Sequence, residues 1–409
     1  VQYIGHIIED MNAHARLGYG AGHYFRAQDG QHMGGIDIVL HQIIPGLSDY
    51  VHHASIAGNH ADPAFFDYVL AKLAASFAHI GTQTEERAVC EVFGAYGWAE
   101  GAPMMKWLLD HLLVRGVHYF VPHAFSPSFP DPDCPPHFGA GGKDPQFEGF
   151  SVLTTYGNRA AHLLAGGIHK ADAAILYHAD AEWINERGEA MPTQIPAKIL
   201  YDAHIDFDIL PADCFTENSG GRVYTAVAEH GRLRVGNKRY HCLIVPAAKR
   251  LPAHLLQALD ALKSAGVPVL RIGDNIGLQE LLPALNALFV PDIEIRGEHP
   301  MLRCCHYEEK DKEDAEKTTG TDIYMFVNES ITETVRTEAA LRGIGDTPGV
   351  MLDLLNDGAF AITVSGGVLP LCLAPYQSVI VILERNKNSN GGNSNADGKE
   401  NYSEICPAS

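Results

Sequence analysis

Four short apolar runs, each trailed by a stretch of polar loop or helical periodicity, constrain the first 170 residues more than any other feature. The runs are VQYIGHII (1–8), IDIVLHQII (36–44), RAVCEVFG (87–94) and VHYFVPHA (117–124). Between the second and third, Phe66, Val69, Leu70, Leu73, Phe77 and Ile80 fall on one face of a helix that opens near Pro63. A further helix runs from about Pro103 to Arg115, with proline at its start and Gly116 past its end. Another covers about Phe147 to Leu164. Repeated strand–helix units dictate parallel strands. Long loops follow several strands, at 9–35 and 124–146, as on the catalytic face of a (β/α)8 TIM barrel. Four strands are too few to close a barrel. The expectation for 1–170 is therefore the C-terminal part of one, in a chain that opens on Val1 within a strand-like run and reads as N-terminally truncated.

From Ala171 to about Asp292 the pattern stays α/β. ADAAILYH, FDIL (207–210), HCLIVPA (241–247) and VPVLRI (267–272) read as strands, with helices at 193–204 and 252–265. That order predicts a flavodoxin-like, doubly wound domain. Its Cys242 lacks the sharp G-x-C-x-G turn of a nucleophile elbow, so the domain is glutamine-amidotransferase-like in outline but non-catalytic. In 293–385 the runs MLRCCHY, DIYMFVN, GVMLDLL, AFAITV and QSVIVIL predict a β-sandwich. Residues 386–409 are polar, of low complexity, and expected to be disordered.

Composition removes several function classes. A net charge of −20 without a basic cluster disfavours nucleic acid and anionic membrane surfaces as partners. No apolar stretch reaches the length of a membrane span. With no G-x-G-x-x-G and no P-loop, no nucleotide cofactor is expected. The eight cysteines contain no CxxC pair, which argues against zinc ribbons and dithiol redox sites. Scattered thiols slightly favour a cytoplasmic setting.

Within the third run Glu91 is out of place. An unpaired charge inside a buried strand costs several kcal/mol. Gly94 and Gly97 end the run within a few residues, which puts Glu91 at the carboxyl end of its strand, at the mouth of a barrel. Glycoside cleavage needs two carboxyl groups, one to protonate the leaving oxygen and one to act at the anomeric centre. Glu9 and Asp10 end the first run as Glu91 ends the third, so Glu9 is the leading partner and Asp10 a substrate contact. Tyr96 and Trp98 on the following loop offer aromatic faces to sugar C–H surfaces. The competing reading makes Glu91 a structural residue bonded to a neighbouring arginine.

EVFGAYGW, followed by MMKWLLDHLLVRGVHYFVPHAFS, resembles large bacterial glycoside hydrolases with a (β/α)8 barrel. The resemblance is to glycoside hydrolase family 106, the α-L-rhamnosidases, and beyond it to clan-A β-galactosidase-like enzymes. In these a strand-end Glu precedes a helix with a Lys–Trp/Leu–Asp pattern and then G-V-N-x-F-x-x-H. It is carried by the strand with Glu91, the strand GVHYFVPHAF with His123, and the order barrel, flavodoxin-like domain, β-sandwich. His118 stands where a relative has Asn, which changes a subsite contact. The resemblance implies a glycosidase acting on a plant or bacterial oligo- or polysaccharide, such as an α-L-rhamnoside or β-galactoside. It implies no cofactor, and it is compatible with a homo-oligomer.

Other constellations carry weaker expectations. YFRAQDGQHMGGID (24–37) gathers Arg26, Gln28, Asp29, His32 and Asp37 around glycines; Arg26 and Asp29 are candidate hydroxyl binders, against a self-capped surface loop. His41, Gln42 and His123 lie near strand ends, and buried polar groups there need partners, here sugar hydroxyls. FPDPDCPPHF holds Asp131, Asp133, Cys134 and His137 but reads as a rigid loop at the barrel mouth, with no metal expected. Asp206, Asp208 and Asp213 alternate along a strand and are expected to diverge. The rival to an enzyme is a catalytically inactive carbohydrate-binding or scaffold protein, distinguished by whether two carboxylates face each other.

Overall fold

The computed structural model describes residues 1–6, 22–47, 63–216, 224–311 and 317–385. Glu9, Asp10 and the expected disordered tail at 386–409 lie outside the described residues. The chain is mixed α/β, as expected. Its first sheet holds three parallel strands: β1 (Gly34–Ile38), β2 (Ala88–Val92) and β3 (Tyr119–Pro122). The register sets Asp37 beside Glu91, and Glu91 beside Val121.

One face of this sheet is apolar and sealed. Ile36, Ile38, Cys90 and Val92 are all 0% exposed there, and helix Ala71–Ile80 packs against β1 and β2. The approach is close enough that a Cβ on Gly34 would sit 2.2 Å from the carbonyl oxygen of Ala74, which only glycine permits. Residues 1–6 cross the other face: a Cβ on Gly35 would meet the carbonyl oxygen of Gly5 at 1.8 Å.

That crossing corrects the first expected strand. Residues 1–6 form no strand, because they lie over the face of β1 rather than along its edge, held by Tyr3 and His32 through paired bonds of 2.8 and 3.0 Å. β1 is also shorter than IDIVLHQII predicts. It stops at Ile38, and the chain turns sharply at Leu40 and His41, whose φ values are 56° and 57°.

A second sheet is parallel throughout, in the order Val269–Arg271, Cys242–Val245, Ala173–Leu176, Phe207–Leu210. These strands and the helices Gln194–Asp202 and Ala253–Ser264 fall where the periodicity predicts them. A three-stranded antiparallel unit at 226–240, missed in the sequence, is inserted between them. One apolar core joins residues from Tyr24 to Phe289, so the first two sheets share it.

Apart from a short parallel pair, Phe125–Ser126 with Phe138–Gly139, the remaining strands are antiparallel. Six form one sheet that runs from Gly358–Val364 at one edge to Gly167–His169 at the other, and three more form a facing sheet. Tyr324 and Phe326 point into the core between these sheets. Ile323, Met325 and Val327 point the other way, against Leu113, Val114, Ala160 and Leu164 of the helices that follow β2 and β3. Burial on both faces explains why DIYMFVN reads as a continuous apolar run rather than an alternating one. Cys372 is disulfide-bonded, which corrects the picture of scattered thiols.

Candidate active site

Glu91 projects from β2 on the face opposite Cys90 and Val92, with its side chain 30% exposed. Asp37, its neighbour in register on β1, is 3% exposed on the same face. His6 lies between them, with Nε2 3.1 Å from Glu91 Oε2 and Nδ1 3.8 Å from Asp37 Oδ2. Two carboxylates side by side repel one another, and an imidazole bridging both reduces that repulsion. The exposed side chains of Tyr119 and Val121 continue the same face across β3.

The chain beyond the carboxyl ends of β1 and β2 is conformationally strained. Leu40, His41, Phe93 and Ala95 are non-glycine residues with φ between 56° and 80°. Each costs about 1–3 kcal/mol, and such strain gathers where a site must hold a set shape. The two loops are tied to each other. Leu40 N–H donates to the carbonyl of Gly94 at 2.8 Å, and Tyr96 OH donates to the carbonyl of Ile43 at 2.9 Å while accepting from its N–H.

Those bonds decide several expected site residues. Tyr96 is 1% exposed, packed on the His41 ring at 4.8 Å, and burial pushes its phenol well above the usual range. It is a loop anchor, which corrects its assignment as a sugar platform. Gln42 is 8% exposed and accepts the N–H of Val39 at 3.2 Å, so it shapes the turn after β1 rather than meeting a ligand. Arg26 binds Asp213 through two bonds of 2.8 and 2.6 Å and lies over Trp183, which commits it to the second sheet. Asp29 is exposed in the turn beyond Arg26, and no described contact links it to Glu91.

Trp98 is 46% exposed beside Phe129 and His137 and keeps an open face. His123 falls at the same end of the sheet as Glu91; its N–H donates to the carbonyl of Val92 at 2.9 Å. Its ring approaches Asp133 at 3.6 Å. His123, Asp133 and Cys134 offer ligand atoms within 4.8 Å of one another. Burial and the bond to Asp133 push the Cys134 thiol up, away from the thiolate a metal prefers. His137 is engaged by Ser126 at 2.8 Å and by the Asp133 carbonyl, as expected of a rigid loop.

Three residues at the site escaped the sequence reading in part or whole. His6 carried no signal. Asp37 was singled out only with the loop 24–37, although it also lies in the run 36–44, where its place in β1 puts it on the face of Glu91. Glu100, 1% exposed, has neither carboxylate oxygen hydrogen-bonded among the described residues, and burial raises it to about 9.

Asp206 and Asp208 do not diverge. Both reach a stacked pair of buried imidazoles, Asp206 at His169 and Asp208 at His79, each at 2.7 Å. Positions two apart on an extended segment share a face, so the expectation misapplied the strand period. Lys72 completes the cluster at 2.5 Å from Asp206. Asp213 stands apart with Arg26.

The architecture is a mixed α/β fold. No protein-family model and no curated protein matches the chain. Among solved structures it is similar to a rhamnosidase from Novosphingobium sp. PP1Y, with a TM-score of 0.59 and 16% identity over 90% of this chain and 36% of that one. It is also similar to a catalytic mutant of a GH42 β-galactosidase from G. stearothermophilus, with a TM-score of 0.53 and 10% identity over 88% of this chain and 61% of that one. At such identities the likeness establishes the fold alone. The chain spans less than two thirds of either structure. Among the described residues, no helix is long and apolar enough to cross a membrane.

Proposed function

We propose that this chain belongs to a glycoside hydrolase in which Glu91 is one of the two working carboxyl groups, the nucleophile or base. The observation that carries the reading is an accessible carboxylate at the carboxyl end of a central parallel strand, with a second carboxylate beside it and a histidine between them. Asp37 and His6 hold Glu91 in place. Glu9 is the proposed acid that protonates the leaving oxygen. Trp98 offers a stacking face, and His123 and His41 offer polar contacts to a sugar. The substrate is an oligo- or polysaccharide of plant or bacterial origin, an α-L-rhamnoside or a β-galactoside. Residues 1–170 form the catalytic part, 171–292 a non-catalytic α/β domain, and 293–385 a β-sandwich.

A panel of aryl glycosides, with Glu91→Gln beside the unaltered protein, tests this. Gln keeps the size and removes the charge that stabilises an oxocarbenium-like transition state, so kcat falls on the order of 10³-fold with KM little changed. Hydrolysis that stays within a few-fold of the unaltered protein makes Glu91 structural. Binding of an oligosaccharide with no hydrolysis of any glycoside favours the scaffold reading instead.

A further inference from the structure

Away from Glu91, a cavity of about 900 Å³ opens at the carboxyl end of the second sheet. Across that sheet the strands run Val269–Arg271, Cys242–Val245, Ala173–Leu176, Phe207–Leu210, whereas the chain visits Ala173–Leu176 first and Phe207–Leu210 second. The strand order therefore reverses between Ala173–Leu176 and Cys242–Val245. Open α/β sheets bind ligands past the carboxyl ends of their strands at such a reversal, where the connections part and leave a crevice. The cavity walls come from the segments that follow these strands, 182–195, 245–251 and 271–274. Its volume is near the upper end for sites of small molecules.

The walls are held by their own bonds. Met191 N–H donates to the carbonyl of Ala247 at 2.7 Å, and Lys249 N–H to that of Glu189 at 3.0 Å. The Asn185 side chain donates to the carbonyl of Arg250 at 2.8 Å and accepts from its N–H at 3.0 Å. On the far wall the Asn275 side chain accepts from Arg271 N–H at 2.7 Å and donates to the carbonyl of Val269 at 2.9 Å. A preformed space spares a ligand the cost of ordering its own site.

The lining selects against ions. Four carboxylates, of Glu182, Glu186, Glu189 and Asp274, face three cations, Arg187, Lys249 and Arg271. Two couples are closed, Lys249 on Glu189 and Arg271 on Asp274, the second at 2.8 Å. Below this rim Val245 and Ile272 are 1% and 5% exposed and give an apolar floor. No aromatic ring lines the cavity among the described residues, so a planar aromatic guest has no stacking partner. A hydroxyl both donates and accepts, so neighbouring hydroxyls meet a carboxylate and its paired cation together. A pyranose ring adds a C–H face for the floor.

We propose that this cavity binds a short, uncharged oligosaccharide, as a carbohydrate site separate from the one at Glu91. The binding argument stands apart from the proposed hydrolysis, and only the choice of test sugars leans on it.

Hydrogen–deuterium exchange of the full chain, with a β-linked galactotriose or an α-linked L-rhamnose trisaccharide at millimolar concentration, tests it. The expected result is slower exchange in 185–192 and 271–274 with at least one sugar, and no such change with sodium sulfate. Ala248→Trp places a ring in the cavity and removes the protection. Asp274→Ala, at an exposed residue, raises the half-saturating concentration about tenfold, the scale of one hydrogen bond to a charged group. Glu91→Gln leaves the protection unchanged, and Ala248→Trp leaves hydrolysis of aryl glycosides unchanged, so failure of this site and failure of the proposed activity are distinct results. Circular dichroism confirms that each variant is folded; where Ala248→Trp is not, Asp274→Ala decides. Protection by neither sugar, protection that survives the deciding variant undiminished, or equal protection by sulfate overturns the proposal.

Discussion

Glu329→Gln is the substitution whose cost the structure fixes most sharply. Glu329 is 3% exposed just past strand Thr318–Asn328. Arg115 donates to it at 2.6 and 3.2 Å, His111 Nδ1 lies 3.0 Å away, and Arg303 Nε lies at 3.1 Å. The two arginines are 1% and 4% exposed. Burial alone would raise the carboxyl, yet Arg115, Arg303 and His111 hold it well below the usual range. Removing one partner of a buried ion pair costs about 3–5 kcal/mol, because the remaining charge stays desolvated. Here two guanidiniums lose their counter-charge. The amide keeps one carbonyl acceptor, which returns about 1 kcal/mol. The expected loss is therefore about 4 kcal/mol, a large share of a typical stability of about 5–15 kcal/mol.

Urea unfolding reads this out, with the slope unchanged and the midpoint lowered. The matched control is Arg296→Ala. Its pair with Glu338 is equally short at 2.8 Å but has side chains 79% and 46% exposed. Solvent screening limits that control to about 1 kcal/mol or less. If Glu329→Gln costs no more than the control, the network around Glu329 does not hold the helices against the antiparallel sheet.

Two further outcomes concern pH. Burial holds His79 and His111 at about 4 and His118 at about 3, below the usual 6.5. The unfolded chain therefore binds more protons than the native one below 6.5, so stability is lost as pH falls from 6.5 towards 4. A melting temperature that is unchanged between pH 7 and pH 5 refutes this. Glu100 has the opposite sign: with its carboxyl raised by burial from 4.5 to about 9, stability declines as pH climbs through that interval. Glu100→Gln should stabilise the protein at neutral pH by roughly 2–3 kcal/mol, with the gain vanishing below pH 4.5. A destabilised Gln variant at pH 7 would mean that the carboxyl is ionised and paired.

Local periodicity made the elements legible and left their partners hidden. Helix Phe147–Leu164 falls where its apolar spacing and flanking residues put it, and FDIL is a strand from Phe207 to Leu210. Glu91 was visible because a charge interrupts an apolar run between glycines. Tyr96 was misread because an aromatic near a strand end looks the same whether its hydroxyl faces solvent or Ile43, 53 residues away. Arg26 was misread for the same reason: its partner, Asp213, is 187 residues distant. Residues 1–6 look like a strand by composition, but they cross the face of β1 instead of pairing along its edge, and no local pattern records that. Asp206 and Asp208 were legible and were read with the wrong period.

The cost of a carboxylate in an apolar strand falls mainly on Asp37 rather than on Glu91. β2 is the central strand, and its two faces are unequal. Cys90 and Val92 are sealed against helices, whereas the Glu91 side chain keeps 30% of its surface in solvent. The desolvated acid is Asp37, at 3%. His6 lies on the solvent side of Asp37 and leans towards both acids, closer to Glu91 by 0.7 Å (3.8 less 3.1 Å). A protonated His6 therefore offsets two negative charges with one cation. A neutral His6 can still donate from Nε2 to Glu91 at 3.1 Å, whereas Asp37, 3.8 Å from Nδ1, is beyond hydrogen-bond distance. A purely structural carboxylate at this position would gain more from the reverse arrangement, with Glu91 sealed against its cation and Asp37 replaced by an apolar residue.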